Sequence, residues 1–151
     1  MESNILKTRA VTQIGVLVND IEAAARAWAD FLGVEIPPIT TTDGYEKSQA
    51  RFRGKATTAR ARLAFFDVGP WLQLELIQPD REQSTWREAL DQKGEGVHHI
   101  AFEVKGMKEK LSALEGAGMQ LLQSGEYAGG RYAYVDGSRD LKVIIELLEN
   151  D

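Results

Sequence analysis

Four side chains that can bind a metal ion stand at matching places in two halves of the sequence. Gln13 superposes on His99 when the segment VTQIGVLV is aligned with VHHIAFEV. Glu75 superposes on Glu146 when WLQLELIQP is aligned with LKVIIELLEND. An imidazole, two carboxylates and an amide oxygen form a donor set that suits one divalent metal ion, such as Zn, Ni, Co, Mn or Mg. The sequence therefore predicts a single metal site built from both halves.

A simpler interpretation exists for each of these residues taken alone. A glutamate or glutamine on a strand can lie on a wet face, and a single histidine is often structural. The recurrence at related positions favours the metal site, because similar elements in similar order indicate duplicated units. Such units bury their apolar faces only when they pack together.

Hydrophobic periodicity predicts the elements that position these side chains. Asp20 is the expected N-cap of the first helix, and Gly33 is expected to end it. The stretch 38–58 has no clear pattern and stays unassigned. The predicted elements are the strand Val11–Val18, the helix Ile21–Leu32, the strands Arg60–Val68 and Trp71–Ile77, the helix Ser84–Gln92, the strand Val97–Val104, the helix Met107–Leu114, and the strands Met119–Gln123, Arg131–Val135 and Lys142–Leu148.

Alternation along the predicted strands places the four candidate ligands on one surface. Successive side chains of a strand point to opposite faces, so apolar residues that alternate with a polar one identify the buried face. Glu75 opposes Leu74 and Leu76, and His99 and Glu146 alternate with apolar residues in the same way. The alternation is weaker around Gln13, which shares its face with Gly15 and Leu17. Glu103 shares the parity of His99, whereas His98 has the opposite parity and is expected to be structural.

The composition excludes several other classes of protein. The formal net charge of −5 argues against a nucleic-acid partner, and the absence of cysteine excludes thiolate chemistry. No apolar run approaches the length needed to cross a membrane, so no membrane partner is expected. The first residues lack the apolar core of a signal peptide, which predicts a cytoplasmic location.

The segments Gly94–Val104 (GEGVHHIAFEV) and Val143–Leu147 (VIIEL) resemble the vicinal oxygen chelate superfamily, most closely methylmalonyl-CoA epimerases and glyoxalase I. The resemblance implies an α+β fold in which two tandem βαβββ modules form a curved mixed-sheet cup with helices outside. It also implies one domain over residues 1–151, with modules at about 11–80 and 97–149 and a linker helix at about 84–93.

The same resemblance implies that Gln13, Glu75, His99 and Glu146 are the metal ligands. Gln13 stands where most members carry histidine, although some glyoxalase I enzymes have this Gln/Glu/His/Glu set. The chain departs from the glyoxalases at the places of their glutathione-binding Arg and Asn, which are Leu17 and Pro79 here. It departs from the epimerases in the strand ARARLAFF, which lacks their catalytic glutamate.

The function expected from these features is that of a metal-dependent isomerase or lyase. It would transfer a proton α to a carbonyl through a metal-bound enolate, with Glu146, Glu75 and Glu103 as the acids and bases. Arg60 and Arg62 are expected to face the cup and bind a small anionic carbonyl substrate, such as an acyl-CoA or an organic acid.

Two other functions stay open. One is a non-catalytic small-molecule binding or resistance protein with the same fold, and the other is a metal-dependent transferase acting on a small antibiotic. The sequence does not identify the oligomeric state, for which a homodimer is one candidate.

Overall fold

The computed structural model describes residues 4–151, in which ten strands form one mixed sheet and four helices pack around it. The elements are β1 (Gln13–Leu17), α1 (Ile21–Leu32), β2 (Thr40–Thr41), α2 (Tyr45–Ser48), β3 (Arg51–Phe52), β4 (Lys55–Ala56), β5 (Ala61–Asp67), β6 (Gln73–Pro79), α3 (Thr85–Lys93), β7 (Gly96–Glu103), α4 (Met107–Gly116), β8 (Leu121–Tyr127), β9 (Gly130–Val135) and β10 (Ile144–Asn150).

The sheet curls into a half-barrel with the strand order β2-β5-β6-β1-β7-β10-β9-β8-β3-β4. One βαβββ module consists of β1, α1, β2, β5 and β6, and the other of β7, α4, β8, β9 and β10. The first strands of the two modules pair antiparallel at the centre, and each first strand pairs parallel with the last strand of its own module. The predicted α+β fold of two modules is therefore confirmed.

The register of the sheet matches the internal repeat. Gly15, two residues after Gln13, pairs with Glu75 across β1 and β6. Ala101, two residues after His99, pairs with Glu146 across β7 and β10. The two candidate ligands of one module, Gln13 and Glu75, are therefore offset across their strands in the same way as His99 and Glu146 are in the other.

Local signals at the first helix act as predicted. The side chain of Asp20 accepts a hydrogen bond from the backbone N–H of Ala23 at 3.1 Å, which satisfies one free donor of the first turn. Gly33 ends α1 in the left-handed conformation at φ 70°, which costs a residue with a side chain more than it costs glycine. Both observed ends of α1 coincide with the prediction.

The unassigned stretch 38–58 contains the short elements β2, α2, β3 and β4. Thr40 and Thr41 in β2 form the reduced second strand of the first module and pair with β5. Arg51 and Phe52 in β3 instead pair with β8 of the second module. Two-residue strands carry no readable periodicity, and their partners are distant in sequence, which explains why the pattern was not recognised.

Three hydrophobic clusters fix the shape of the sheet. Helix α1 packs on the convex side of the first module, where Leu74 and Leu76 meet its small residues. Helix α4 covers the second module in the same way, with Ile145 and Leu147 beneath it. Helix α3 packs its Trp86 and Leu90 against the concave side and fills one end of the cup. None of the helices within residues 4–151 is long and apolar enough to span a bilayer.

A β-bulge interrupts the pairing of β1 with β7. Gly15 pairs with His99 but Val16 pairs with Val97, so His98 is an extra residue on β7. A bulge breaks the strict alternation of side chains and redirects them. His98 Nδ1 consequently lies 2.9 Å from His99 Nδ1, on the same side of the strand. The prediction that the two histidines face opposite ways is wrong, because the extra residue removes the alternation on which it relied.

The imidazole of His99 lies directly over Gly15. A Cβ atom at this position would stand 2.0 Å from Cε1 of His99, so only glycine permits the approach. We expect Gly15→Ala to displace the ring and to lower the free energy of unfolding by about 1–3 kcal/mol, the usual cost of overpacking. Urea unfolding measures this change.

Gly44→Ala is the matched control, because nothing lies within 4 Å of a Cβ at that position. A Gly15→Ala protein as stable as the Gly44→Ala protein would contradict the assigned contact.

Candidate metal centre

Four adjacent central strands deliver the four predicted ligands to one point. Gln13 lies on β1, Glu75 on β6, His99 on β7 and Glu146 on β10. All four side chains are buried, and His99 has no exposed surface. They belong to the concave face, opposite the leucines and isoleucines that pack under α1 and α4.

The donor atoms of this group are close together. His99 Nε2 lies 3.1 Å from Glu146 Oε1, 3.6 Å from Glu75 Oε1 and 3.0 Å from Gln13 Oε1. Donors about 2.1 Å from a shared ion and at right angles to each other are separated by about 3 Å. The spacing therefore fits ligands of one divalent cation, and Glu75, His99 and Glu146 form a group with metal-binding geometry.

The amide of Gln13 fits its surroundings in two orientations. The amide atom that points inward lies 3.0 Å from Glu146 Oε1 and 3.3 Å from Glu75 Oε1. If that atom is nitrogen, it donates to both carboxylates. If it is oxygen, it faces the carboxylate oxygens of Glu146 and Glu75, and only a cation between them would make this contact favourable. The outer Nε2 of Gln13 then donates to Gln73 Oε1 at 2.8 Å. The second orientation is the one in which Gln13 completes the ligand set.

Burial of these charges shifts the pKa values of the group. Burial and then the charge of Glu146 raise the pKa of Glu75 to about 8. Burial alone would lower the pKa of His99, but its interactions with Glu146 and Glu75 outweigh burial and raise that pKa. Burial, Glu146 and Glu75 also raise the pKa of Tyr134 well above its ordinary value. The site thus concentrates negative charge, which a bound cation would relieve.

A cavity of about 440 Å³ opens above the group and is large enough for a small organic molecule. Apolar and aromatic residues form much of its wall, including Leu63, Phe65 and Leu148. Three tyrosines and three threonines add hydroxyl groups. The lining carboxylates are Asp43, Glu75, Glu103, Glu126 and Glu146.

Glu103 lies on this cavity, as its parity predicted. Its Oε1 accepts a hydrogen bond from Asn150 Nδ2 at 3.2 Å, near the rim rather than beside the imidazole. Tyr127 lies on the same wall and donates to Asn150 Oδ1 at 2.6 Å. Glu103 is therefore a third carboxylate within reach of a bound molecule, but it does not join the ligand group.

The structure does not bring Arg60 and Arg62 into the cavity. Arg62 pairs with Glu22 of α1 on the convex side, and Arg60 Nε donates to the backbone oxygen of Thr42 at 2.8 Å. The prediction that both face the cup is wrong. Strand β5 is apolar on both faces, since Leu63 and Phe65 line the cavity while its alternate residues pack against α1. Alternation alone therefore cannot identify the cup side of this strand.

A buried polar network beneath the ligands was not predicted. His98 Nε2 lies 3.0 Å from Thr85 Oγ1, and Gln123 Oε1 accepts from the backbone N–H of Thr85 at 2.8 Å. Trp86 Nε1 donates to the hydroxyl of Tyr134 at 3.0 Å. The sequence offered one signal, the alternating tyrosines of RYAYV, which share a face of β9. The contacts themselves join segments that are far apart in the chain.

Comparison with protein families identifies the chain. Residues 12–135 match the model of the Glyoxalase/Bleomycin resistance protein/Dioxygenase superfamily. The chain belongs to this superfamily. The predicted resemblance is confirmed.

The chain is also similar to the uncharacterized protein YqjC of Bacillus subtilis (strain 168). It is 33% identical over 93 residues, which are 60% of this chain and 66% of that relative, slightly less than two thirds of its length.

Solved structures share the fold. A hypothetical protein, BH1468 of Bacillus halodurans C-125, superposes with a TM-score of 0.67 at 21% identity over 94% of each chain. Methylmalonyl-CoA epimerase of Mycobacterium tuberculosis gives 0.66 at 21% identity, over 100% of this chain and 93% of that one. A Streptomyces coelicolor methylmalonyl-CoA epimerase variant, solved with 2-nitronate-propionyl-CoA, gives 0.62 at 20% identity over 93% and 96%.

We expect the affinity of the site for a divalent ion to rise with pH up to about 8. The pKa of Glu75 is raised to about 8, so below that pH a cation must displace its proton. Each pH unit below 8 should then lower the affinity for the ion by up to about tenfold for each proton displaced. Calorimetric Zn²⁺ titrations at pH 7, in buffers of different ionisation enthalpy, count the protons released.

Glu75→Gln should release about one proton fewer than the native protein, and the exposed Glu82→Gln should release the native number. Equal proton release from all three proteins would contradict the raised pKa of Glu75.

Proposed function

We propose that this protein is a metal-dependent isomerase or lyase that moves a proton on the carbon next to a carbonyl group. The observation that carries the proposal is the convergence of Gln13, Glu75, His99 and Glu146 at the floor of a solvent-accessible cavity. A purely structural cluster would have no reason to border a cavity of this size. Membership of the superfamily, which includes isomerases and lyases, supports the same conclusion.

The four side chains would hold one divalent ion of the Zn, Ni, Co, Mn or Mg type. When bound, such an ion supplies Lewis acidity to the oxygen atoms of a substrate and stabilises negative charge that develops on them. An ion held by these four side chains would still be able to bind oxygen atoms of a substrate.

The carboxylates of the chain perform the proton transfer. Glu75 and Glu146 border both the imidazole and the cavity, so either can accept a proton from a carbon held above them. Glu103 lies higher on the wall and can pass a proton between the cavity and solvent. Phe65 and Leu148 add apolar surface to the cavity wall beside these carboxylates.

The charge of the lining restricts the substrate. Among residues 4–151, no Lys or Arg lines the cavity, whereas five carboxylates do. A divalent ion balances only part of this charge, so the part of the substrate inside the cavity carries no negative group beyond the oxygens that bind the ion. An anionic substrate such as an acyl-CoA or an organic acid would keep its remaining charge at the mouth.

A second cavity offers a place for that charge. It has a volume of about 400 Å³, is lined by Lys7, Lys105 and Lys110, and shares Glu103 and Asn150 with the first cavity. This position replaces Arg60 and Arg62 as the proposed contact for an anionic end. The similar fold of the Streptomyces coelicolor epimerase variant, solved with a CoA derivative, is compatible with a substrate of this length.

The alternative is a protein that binds a small molecule without catalysis. The aromatic part of the wall, with Phe65, Trp86 and Tyr132, suits sequestration of a planar ligand. A binding protein of this kind would not need two carboxylates beside the imidazole, which is why we prefer the enzyme.

The proposed chemistry predicts exchange of substrate hydrogen with solvent. Protein loaded with Zn²⁺, Co²⁺ or Mn²⁺ is incubated in D₂O with acyl-CoA thioesters and with 2-keto and 2-hydroxy acids, and NMR follows deuterium incorporation. Glu75→Gln or Glu146→Gln should slow exchange by about 100-fold or more, because each removes a proposed metal ligand as well as a candidate general base.

The exposed Glu115→Gln is the matched control and should exchange at the native rate. Undiminished exchange in both site variants would overturn the mechanism, and binding without any exchange would favour the sequestering protein.

Glutathione hemithioacetals should be poor substrates. The glyoxalases bind glutathione through an Arg and an Asn at positions that are Leu17 and Pro79 here, and both of these side chains are buried. We expect metal-loaded protein to turn over the methylglyoxal–glutathione adduct no faster than the Glu146→Gln variant does, as measured by thioester absorbance. Turnover that depends on Glu146 would contradict this expectation.

A further inference from the structure

The two consecutive histidines of β7 form a chain of contacts that begins at the N-terminus of α3 and ends at the candidate metal. Thr85 Oγ1 lies 3.0 Å from His98 Nε2, and His98 Nδ1 lies 2.9 Å from His99 Nδ1. His99 Nε2 then faces Gln13 Oε1 and Glu146 Oε1 at 3.0 and 3.1 Å. All three residues of the chain are at least 96% buried, so water does not compete for these contacts.

Only one proton fits between the two Nδ1 atoms. The ring to which this proton is bonded determines whether His99 can bind a cation. If His98 donates it, the neutral His99 carries its own proton on Nε2, where it blocks the ligand position. If His99 donates it, its Nε2 keeps a free lone pair directed at the site. In that second arrangement His98 Nδ1 accepts, so the neutral His98 has its proton on Nε2 and donates it to Thr85 Oγ1.

A cation on His99 Nε2 requires the second arrangement, and the surroundings of His98 accommodate it. The Thr85 hydroxyl, which can donate or accept, then accepts from His98 Nε2–H at 3.0 Å, so this buried donor has a partner. The ring cannot rotate away easily, because it packs edge-on against Tyr134 with centroids 5.1 Å apart. The bulge at His98 is what brings the ring to this side of the strand.

We propose that His98, supported by Thr85, is a positioning residue that fixes the proton of His99 on Nδ1 and so keeps Nε2 available to a metal ion. The inference rests on the metal site proposed above and extends it to a residue that contacts neither metal nor substrate. The partner of a ligating histidine usually contributes about 10–100-fold to metal affinity. His98 is thus part of the metal site rather than only part of the core.

A pair of substitutions separates hydrogen bonding from packing. His98→Phe keeps an aromatic ring against Tyr134 but removes the acceptor, and we expect it to lower Zn²⁺ affinity about 10–100-fold in competition with a chelator. His98→Asn has a smaller side chain but can offer Oδ1 at the place of Nδ1, so it should retain most of the native affinity. A purely structural role predicts the opposite order, because Asn packs worse than Phe.

Thr85→Val provides a second variant of nearly native shape if His98→Phe fails to fold. It removes the acceptor of His98 Nε2–H and should weaken Zn²⁺ binding severalfold, whereas the exposed Thr58→Val should not. Native affinity in both His98→Phe and Thr85→Val would overturn the proposal, as would a His98→Asn protein that binds zinc no better than His98→Phe.

Long-range ¹H–¹⁵N NMR of the metal-free protein tests the arrangement without any metal. We expect the proton between the rings to be bonded to His99 Nδ1, with His98 Nδ1 unprotonated. A proton on His98 Nδ1 would overturn the proposal even if the protein binds zinc. Failure of the native protein to bind any divalent ion would instead refute the proposed function, and the NMR result would still decide the role of His98.

Discussion

Two carboxylates, Glu75 and Glu146, are buried beside one imidazole at the centre of the sheet. Removing such charges from water costs several kcal/mol per ion unless neighbouring groups or a cation compensate for it. Here part of the compensation comes from His99, whose pKa the two carboxylates raise, and a bound cation would complete it. The rest of the structure holds these groups in place against their mutual repulsion, and the raised pKa of Glu75 reflects the remaining cost.

The half-barrel can hold the four candidate ligands close together because four neighbouring strands each supply one of these side chains. The two modules pair through their first strands, so the ligands of one module lie opposite those of the other. Gly15 leaves room for the ring of His99, and the bulge beside it brings His98 to the same side. Helix α3, which connects the modules, contributes Thr85 to the polar network and Trp86 to the floor of the cup.

The residues that line the cavity matter for function as much as the four candidate ligands at its base. One fold can host unrelated functions, and the fold alone does not identify the chemistry of this chain. The lining here is acidic and aromatic, and three lysines, Lys7, Lys105 and Lys110, line an adjacent cavity instead. This charge distribution therefore disfavours anionic groups inside the cavity.

Short-range pattern was sufficient for most of the elements. The helix Ile21–Leu32, its cap Asp20 and its terminating Gly33 follow from local hydrogen bonding and backbone preference, which are encoded within a few residues. The strands that carry the ligands were also predictable, because one of their faces is apolar and the other polar. Where both faces of a strand are apolar, as around Arg62 in β5, alternation does not show which face lines the cup. The predicted side of Arg62 was therefore wrong.

The sequence by itself determined that the chain consists of two related units and which four residues occupy equivalent places in them, and its resemblance to a known superfamily implied that each unit is a βαβββ module. Periodicity and internal repetition are properties of the chain and need no coordinates. Only the tertiary structure decided the separation of the four donor atoms, the orientation of the arginines and the contact between His98 and His99. Those features depend on the register of the central strands, on one bulge and on the packing of α3, each of which joins residues far apart in sequence.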